Sequence, residues 1–255
     1  MTTPFPVAEP QTLTRAVALL LLLGVGVLAV VAQALATFAE FNVWFIAAAL
    51  LCYGGACALI LMHVGRHHPF ANFGPANVVT WLRLVLTCLS AGLVAETARP
   101  GTLFAPEAAW VFTAIAVLAL LLDGLDGWLA RKSGQISPFG ARFDMEVDAL
   151  QILLLSIAAA TLGKAGAWII LAGLMRYIYV ACGWLWPQLT QPLPPSVRRK
   201  AVCALQVAVL IVLLAPPVVP PFSAALGFVA LVTLIYSFAI DVIWAFRQPV
   251  LQPVT

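Results

Sequence analysis

The chain has 255 residues, 63% hydrophobic and only 9% charged, with a mean hydropathy of +1.04. A soluble domain carries about 25% charged residues, so these side chains cannot cover a water-facing surface, and soluble, disordered and nucleic-acid-binding classes are excluded. A net charge of +3 is too small to imply a polyanionic partner.

A spanning helix needs about 20 mostly apolar residues. In chain order the stretches that meet this measure are 16–38, 43–63, 78–96, 107–131, 144–163, 167–186, 200–218 and 222–245. The first begins after Arg15 and ends near Ala34-Leu35-Ala36, a pattern that imitates a cleavable signal. Its apolar core from Ala16 to Ala32 exceeds the usual run of about 7–15 residues, so it reads as a retained anchor. Helix breakers separate the later stretches: His67-His68-Pro69, Arg99-Pro100-Gly101, Ser137-Pro138-Phe139-Gly140, the proline-rich 187–195, and Pro216-Pro217-Val218-Val219-Pro220-Pro221. None shows the period-2 alternation of an outer-membrane barrel. The reading is an all-α integral membrane protein with about eight transmembrane helices. Cys52, Cys57, Cys88, Cys182 and Cys203 lie in apolar runs without CxxC spacing and read as small buried hydrophobes. His63, His67 and His68 read as interfacial surface.

Eight spans place both termini on one side. With the N-terminus inside, the inner face holds Arg15, Arg66, Arg131, Lys132, Arg142, Arg198, Arg199, Lys200 and Arg247, with Arg83 near the boundary and only Arg99 and Lys164 outside. The positive-inside rule then predicts cytoplasmic termini and a cytoplasmic 131–143 loop. The expected location is a bacterial inner membrane. Arg176 is left mid-span.

The acids are unevenly spread: Asp123, Asp126, Asp144, Glu146 and Asp148 are five of the ten. Asp123 and Asp126 stand at i, i+3 near the end of the fourth span, and Asp144 and Asp148 at i, i+4 near the start of the fifth, so each pair shares a helix face. A short connection makes the two spans an antiparallel hairpin, which brings both pairs to the same depth. One ionised Asp at a helix centre costs about 2.5–3.5 kcal/mol, and four together also repel. Arg131 and Arg142 are too few to neutralise them, so divalent cations are the natural partners, and oxygen-only ligands suit Mg²⁺, Mn²⁺ or Ca²⁺. Two metals about 3.5–4 Å apart are the usual device for moving phosphoryl groups. Glu146 points off the shared face. Gly124, Gly127 and Ala130 are small where a ligand could approach the backbone, Arg131 offers a donor fork for phosphate, and Pro138 with Gly140 is expected to turn the chain back into the membrane.

Asp123-Gly124-Leu125-Asp126-Gly127-Trp128-Leu129-Ala130-Arg131, followed by Gly140, Asp144 and Asp148 at the required intervals, resembles the complete D-x₂-D-G-x₂-A-R-x₈-G-x₃-D-x₃-D signature of the CDP-alcohol phosphotransferases. Pro75-Ala76-Asn77-Val78-Val79-Thr80-Trp81-Leu82-Arg83 is similar to the short motif before that family's first core helix. The resemblance implies a core of six helices over residues 75–255 and an N-terminal extension, residues 1–74, with two extra helices whose role it does not imply. It also implies displacement of CMP from a CDP-linked alcohol by a second alcohol's hydroxyl, with Mg²⁺ or Mn²⁺, two ions in all, at the site. Asp123, Asp126, Asp144 and Asp148 would hold the metals, and Asp148 would take the acceptor's proton. Asn77, Thr80, Gly127, Ala130, Arg131 and Gly140 would lie at the nucleotide and diphosphate. Family members often form homodimers.

The signature does not choose between CDP-diacylglycerol with a small alcohol and CDP-choline or CDP-ethanolamine with diacylglycerol. The remaining inner cations, Arg142, Arg176, Arg198, Arg199 and Lys200, favour an acceptor that is small, polar and in some cases phosphorylated. Arg176 is the most informative, since a mid-span charge must face the bundle interior or a polar cavity. Its alternatives are an ion pair with a cluster aspartate or an anionic acceptor site. Tyr177, Tyr179, Trp184 and Trp186 could instead hold a quaternary ammonium by cation–π contact. A divalent-cation transporter would also want intramembrane carboxylates, but the outer halves of the spans offer only Glu40, Glu96 and Glu107 near the far boundary. The expected partners are therefore a CDP-linked donor, an alcohol acceptor and membrane lipids, with no nucleic acid.

Overall fold

The computed structural model describes residues 10–70, 72–99, 104–191, 193–194 and 196–248, apart from the side chains of Pro10, Gln11, Arg66 and His67. Glu9, Pro100, Gly101, Pro192, Pro195 and the side chains of Arg66 and His67 lie outside the described residues. The helices are α1 (Pro10–Ala39), α2 (Val43–His67), α3 (Pro75–Thr97), α4 (Pro106–Ser133), α5 (Pro138–Thr161), α6 (Ile170–Leu185), α7 (Val197–Leu214) and α8 (Phe222–Arg247), and no strand occurs among the described residues. Short 3₁₀ turns at Ala167–Ile169 and Pro187–Thr190 flank α6.

Six of these helices are long and apolar enough to cross a membrane, α6 taken together with the turn before it. The other two, α5 and α7, each carry charge in one half: Arg142, Asp144, Glu146 and Asp148 in the first, Arg198, Arg199 and Lys200 in the second. Large apolar side chains stand outward along the helices, Leu51 at 77% and Leu121 at 67% exposure among them. Water would penalise such a surface and lipid does not, so the chain is a membrane protein.

The chain divides into two compact units, Met1–Leu154 and Leu155–Thr255, the division falling inside α5. In the first unit α1 packs on α2, α2 on α3 and α3 on α4. The α1–α2–α3 contact is polar at its centre. Tyr53, fully buried, donates from its hydroxyl to Leu21 O of α1 at 3.1 Å and accepts from Trp81 Nε1 of α3 at 2.8 Å. Gly24 makes room for it, since a side chain there would overlap the Tyr53 hydroxyl. Nearer the other end, Gly92 of α3 approaches the Phe45 backbone so closely that an added Cβ would lie 2.5 Å from its carbonyl oxygen. Glu96, buried at the end of α3, accepts from the Asn42 N–H at 2.9 Å and pairs with Arg99 at 2.8 Å.

The α4–α5 connection departs from the expected turn. Helix α4 ends on Gly134, whose φ of 67° is a left-handed conformation that side chains resist. Helix α5 already starts at Pro138, so Pro138 and Gly140 belong to its first turn and residues 134–137 reverse the chain. The earlier start follows from capping: Ser137 Oγ accepts from the Gly140 N–H at 2.9 Å, and Ser137 O accepts from the Ala141 N–H at 3.0 Å. Ser137 is itself held by His68, whose Nδ1 lies 3.1 Å from its hydroxyl and whose Nε2 lies 2.9 Å from Asn72 O. A carbonyl can only accept, so Nε2 donates to Asn72 O, and in the neutral ring Nδ1 accepts from the Ser137 hydroxyl. His68 is thus buried among Phe70, Phe73 and Phe139 and is not the interfacial surface residue expected from its neighbours in sequence.

In the second unit α7 packs on α8. The carbonyls of the segment that follows α7 are collected by Lys164, which donates from Nζ to Ala215 O at 3.0 Å, Pro216 O at 3.3 Å and Val218 O at 2.8 Å. Helix α7 ends at Leu214, short of the 218 expected from apolar content alone, because Pro216-Pro217 cannot continue it.

Replacing Tyr53 by Phe keeps the packing and removes one acceptor and one donor, leaving Trp81 Nε1 and Leu21 O without their partner. A loss of about 1–3 kcal/mol is expected, seen as a lower thermal midpoint of the detergent-solubilised protein. An unchanged midpoint would show that the buried link is not stabilising.

Candidate active site

Helix α3 presents Asn77, Thr80 and Arg83 at successive i, i+3 positions, all buried. Across from them stand Asp123 and Asp126 of α4 and Asp144 and Asp148 of α5. Arg83, 4% exposed, joins the four. Its Nη1 donates to Asp126 Oδ2 at 2.6 Å and to Asp144, and its Nη2 meets Asp123 Oδ1 at 3.0 Å and donates to Asp148. The single hydroxyl proton of Thr80 has two acceptors within reach of Oγ1, Asp126 Oδ2 at 3.0 Å and Ala76 O at 3.1 Å. One carboxylate oxygen each from Asp123, Asp126 and Asp144 lies within 4.8 Å of the others. The convergence expected from the two helix-face spacings is therefore present, and one guanidinium sits in the middle of it.

Arg83 is the residue that sequence reasoning underweighted. It was counted as a boundary charge, and the neutralisation of the cluster was sought from Arg131 and Arg142 alone. Both of those are exposed, and Arg142 Nε lies 4.0 Å from Glu146. The signal was available: Asn77, Thr80 and Arg83 form a polar stripe on an otherwise apolar helix, and a buried guanidinium requires a carboxylate partner. Glu146 lies 4.0 Å from Arg142 and is not among the carboxylates that Arg83 contacts.

The rest of the site is built on close packing. Asn77 donates from Nδ2 to Phe73 O at 2.5 Å, which turns Oδ1 toward Gly140. A Cβ on Gly140 would lie 2.7 Å from Asn77 Oδ1 and 3.1 Å from Ser137 Oγ. Gly127 leaves room for the guanidinium of Arg131, one turn on, since its added Cβ would lie 3.4 Å from Nη1. Ala130 is half-buried between them. One turn beyond Asp148, Gln151 is 5% exposed, and neither of its amide atoms has a hydrogen-bond partner.

The second unit holds the other expected cations. Arg198 donates from Nη1 to Ser237 O and Oγ, both at 2.5 Å, and from Nη2 to Asp241 Oδ1 at 2.5 Å. Arg199 lies 3.6 Å from the same carboxylate and donates to Pro194 O. Lys200 is exposed, and Arg176 is half-buried midway along α6. Asp241, an acid that sequence reasoning left without a role, is the partner of the first two cations. Ser237 and Asp241 at i, i+4 on α8 were the legible sign of it.

Gly140→Ala tests whether the α3–α5 approach sets the site. The methyl group must displace Asn77 or Ser137, and displacements of about 1 Å cost up to about 100-fold in turnover. A fall in kcat/KM of at least about ten-fold, with a folded protein, is the expected outcome; full activity would mean that this contact does not position the aspartates.

No curated protein and no solved structure matches the chain. The CDP-alcohol phosphatidyltransferase family model matches residues 73–238, well over half of the chain and all of the carboxylate site. With the aspartates of its signature gathered as described, the chain belongs to the CDP-alcohol phosphatidyltransferase family and is a transferase.

Proposed function

We propose that the protein transfers a phosphatidyl group from CDP-diacylglycerol to a small polar alcohol, releasing CMP. Family membership already carries phosphatidyl transfer from a CDP-alcohol and the use of a divalent metal; donor, acceptor and metal are the proposal's own. The observation that carries it is the meeting of Asp123, Asp126 and Asp144 oxygens within 4.8 Å, beside Asp148 on the same guanidinium.

That donor set consists of carboxylate oxygens only, which fits Mg²⁺ or Mn²⁺ and argues against zinc. Asp123, Asp126 and Asp144 would hold the metal, with Asp148 at the edge of the set. When bound, the metal supplies positive charge against the transferred phosphate and the departing CMP. Asp148, with its carboxylate 29% exposed, is open enough to accept the proton of the attacking hydroxyl. Asn77, Thr80, Gly127, Ala130, Arg131 and Gly140 would surround the nucleotide and diphosphate, and Gln151 offers an unpaired donor and acceptor to polar groups of the substrate. Residues 1–74 are proposed as an addition to a core of residues 75–255. Both termini and the site are proposed to face the cytoplasm, a sidedness supported by the asymmetry of Lys and Arg, with a bacterial inner membrane as the proposed location.

For the acceptor, Arg176, half-buried midway along α6, is proposed as the first candidate for an anionic group, because a mid-span charge must face the bundle interior or a polar cavity. Lys200 and Arg142 stand at more exposed positions, and Arg198 and Arg199 lie against Asp241. Membership of a transferase family sets the cation-transporter alternative aside. The choline-type reaction remains the competitor within the family.

CMP release by the purified protein, with CDP-diacylglycerol or CDP-choline crossed against a panel of alcohols, separates the two. The proposal expects turnover with CDP-diacylglycerol and a small alcohol, loss on chelation and recovery with Mg²⁺ or Mn²⁺. Turnover only with CDP-choline and diacylglycerol would overturn it. Asp148→Asn should lower kcat by at least about 100-fold, as loss of a general base does, and near-normal turnover would remove Asp148 from that role. Arg176→Ala should raise the acceptor's KM more than the donor's, whereas equal effects on both would favour a structural ion pair.

A further inference from the structure

Arg83 and a divalent cation held by the cluster would draw on the same carboxylates. The terminal nitrogens of Arg83 contact Asp126 Oδ2, Asp144 Oδ1, Asp123 Oδ1 and Asp148 Oδ1. The cluster with metal-binding spacing is made from three of these four residues. A guanidinium has five N–H donors and no acceptor. Here Nη1 and Nη2 are spent on carboxylates, while Nε is buried without a partner. A dication held by the same carboxylates would stand beside a fixed positive charge in a poorly solvated site, where like charges repel strongly.

We propose that Arg83 is a built-in counter-cation that competes with the divalent metal for the aspartates, so that metal loading frees its guanidinium for the diphosphate of the CDP-linked donor. The inference rests on the reading of the cluster as a metal site. Two features of the chain favour exchange over a permanent ion-pair network. Asp123, Asp144 and Asp148 are partly exposed, at 40%, 38% and 29% of their side chains, so an incoming cation can reach them. The planar fork of Arg83 also suits phosphate oxygens as well as carboxylates, and its unpaired Nε is already a donor without an acceptor. Thr80, bonded to Asp126 on the side of α3, keeps that carboxylate in place when Arg83 lets go. Arg83 thus serves two purposes in succession: it keeps four aspartates together before the metal arrives and binds substrate afterwards.

The test is Mn²⁺ affinity, read by electron paramagnetic resonance on detergent-solubilised wild-type protein, Arg83→Gln and Arg83→Lys, with no substrate present. Competition predicts that Arg83→Gln binds Mn²⁺ at least about ten-fold more tightly than wild type, because a like charge has left the site. Arg83→Lys, which keeps the charge but loses the fork, should fall between them, and it serves alone if the glutamine variant does not fold. The same variants should lose thermal stability without metal and regain it with Mn²⁺. A structural role for Arg83 predicts the opposite sign, since a disarranged cluster binds metal more weakly. Unchanged or weaker Mn²⁺ binding in either folded variant overturns the inference and leaves the metal site standing. No Mn²⁺ binding by any of the three overturns the metal reading and the inference with it.

Discussion

Four aspartates at the facing ends of two helices repel one another, and in apolar surroundings they stay ionised only if positive charge stands among them. Arg83 supplies that charge from α3, touching all four with two nitrogens. Much of the first unit can be understood as the means of holding these groups in register. Helix α3 carries the guanidinium, α4 and α5 carry the carboxylates, and Thr80 anchors Asp126 to α3 directly. A half-satisfied network of this kind would be worse than an apolar core, so the fold has to deliver each of its members.

It does so through small devices at the helix ends. Gly134 lets α4 stop in a left-handed turn, and Ser137 starts α5 within four residues, which fixes the height of Asp144 and Asp148 relative to Asp123 and Asp126. His68 clamps Ser137 from the α2–α3 connection, and Asn77 meets Gly140 where no side chain fits. The two N-terminal helices join the same frame through Tyr53, which ties α1 and α2 to Trp81, two residues before Arg83. In this way α1 and α2 pack on the helix that carries the counter-charge. In the second unit the equivalent devices are Lys164 at the end of α7 and Asp241 against Arg198 and Arg199.

What could be read from sequence divides along physical lines. Helix number, order and approximate limits follow from apolar length, because lipid leaves the backbone few alternatives. The two aspartate pairs are legible because i, i+3 and i, i+4 spacing is a local property of a helix. Features that depend on a partner distant in sequence were not legible in the same way. Arg83 looked like one more basic residue near a boundary, and only the packing of α3 against α4 shows that it faces the carboxylates. His68 looked like surface because its neighbours are polar, although a serine 69 residues away buries it. Gly140 looked like a turn because glycine after proline often is one, whereas Ser137 caps a helix that runs straight through it. The basic residues at the start of α7 are the least legible group, since Arg198 and Arg199 acquire their partner Asp241 only through the packing of α7 on α8.

If the aspartates gathered around Arg83 form the divalent-metal site of a phosphatidyl-transfer enzyme, the ion can be located among them. Anomalous diffraction at the manganese edge, from crystals grown with Mn²⁺, measures this most directly. The account predicts an anomalous peak bounded by carboxylate oxygens of Asp123, Asp126 and Asp144. A peak coordinated by other residues, or none at these carboxylates at saturating Mn²⁺, would contradict it.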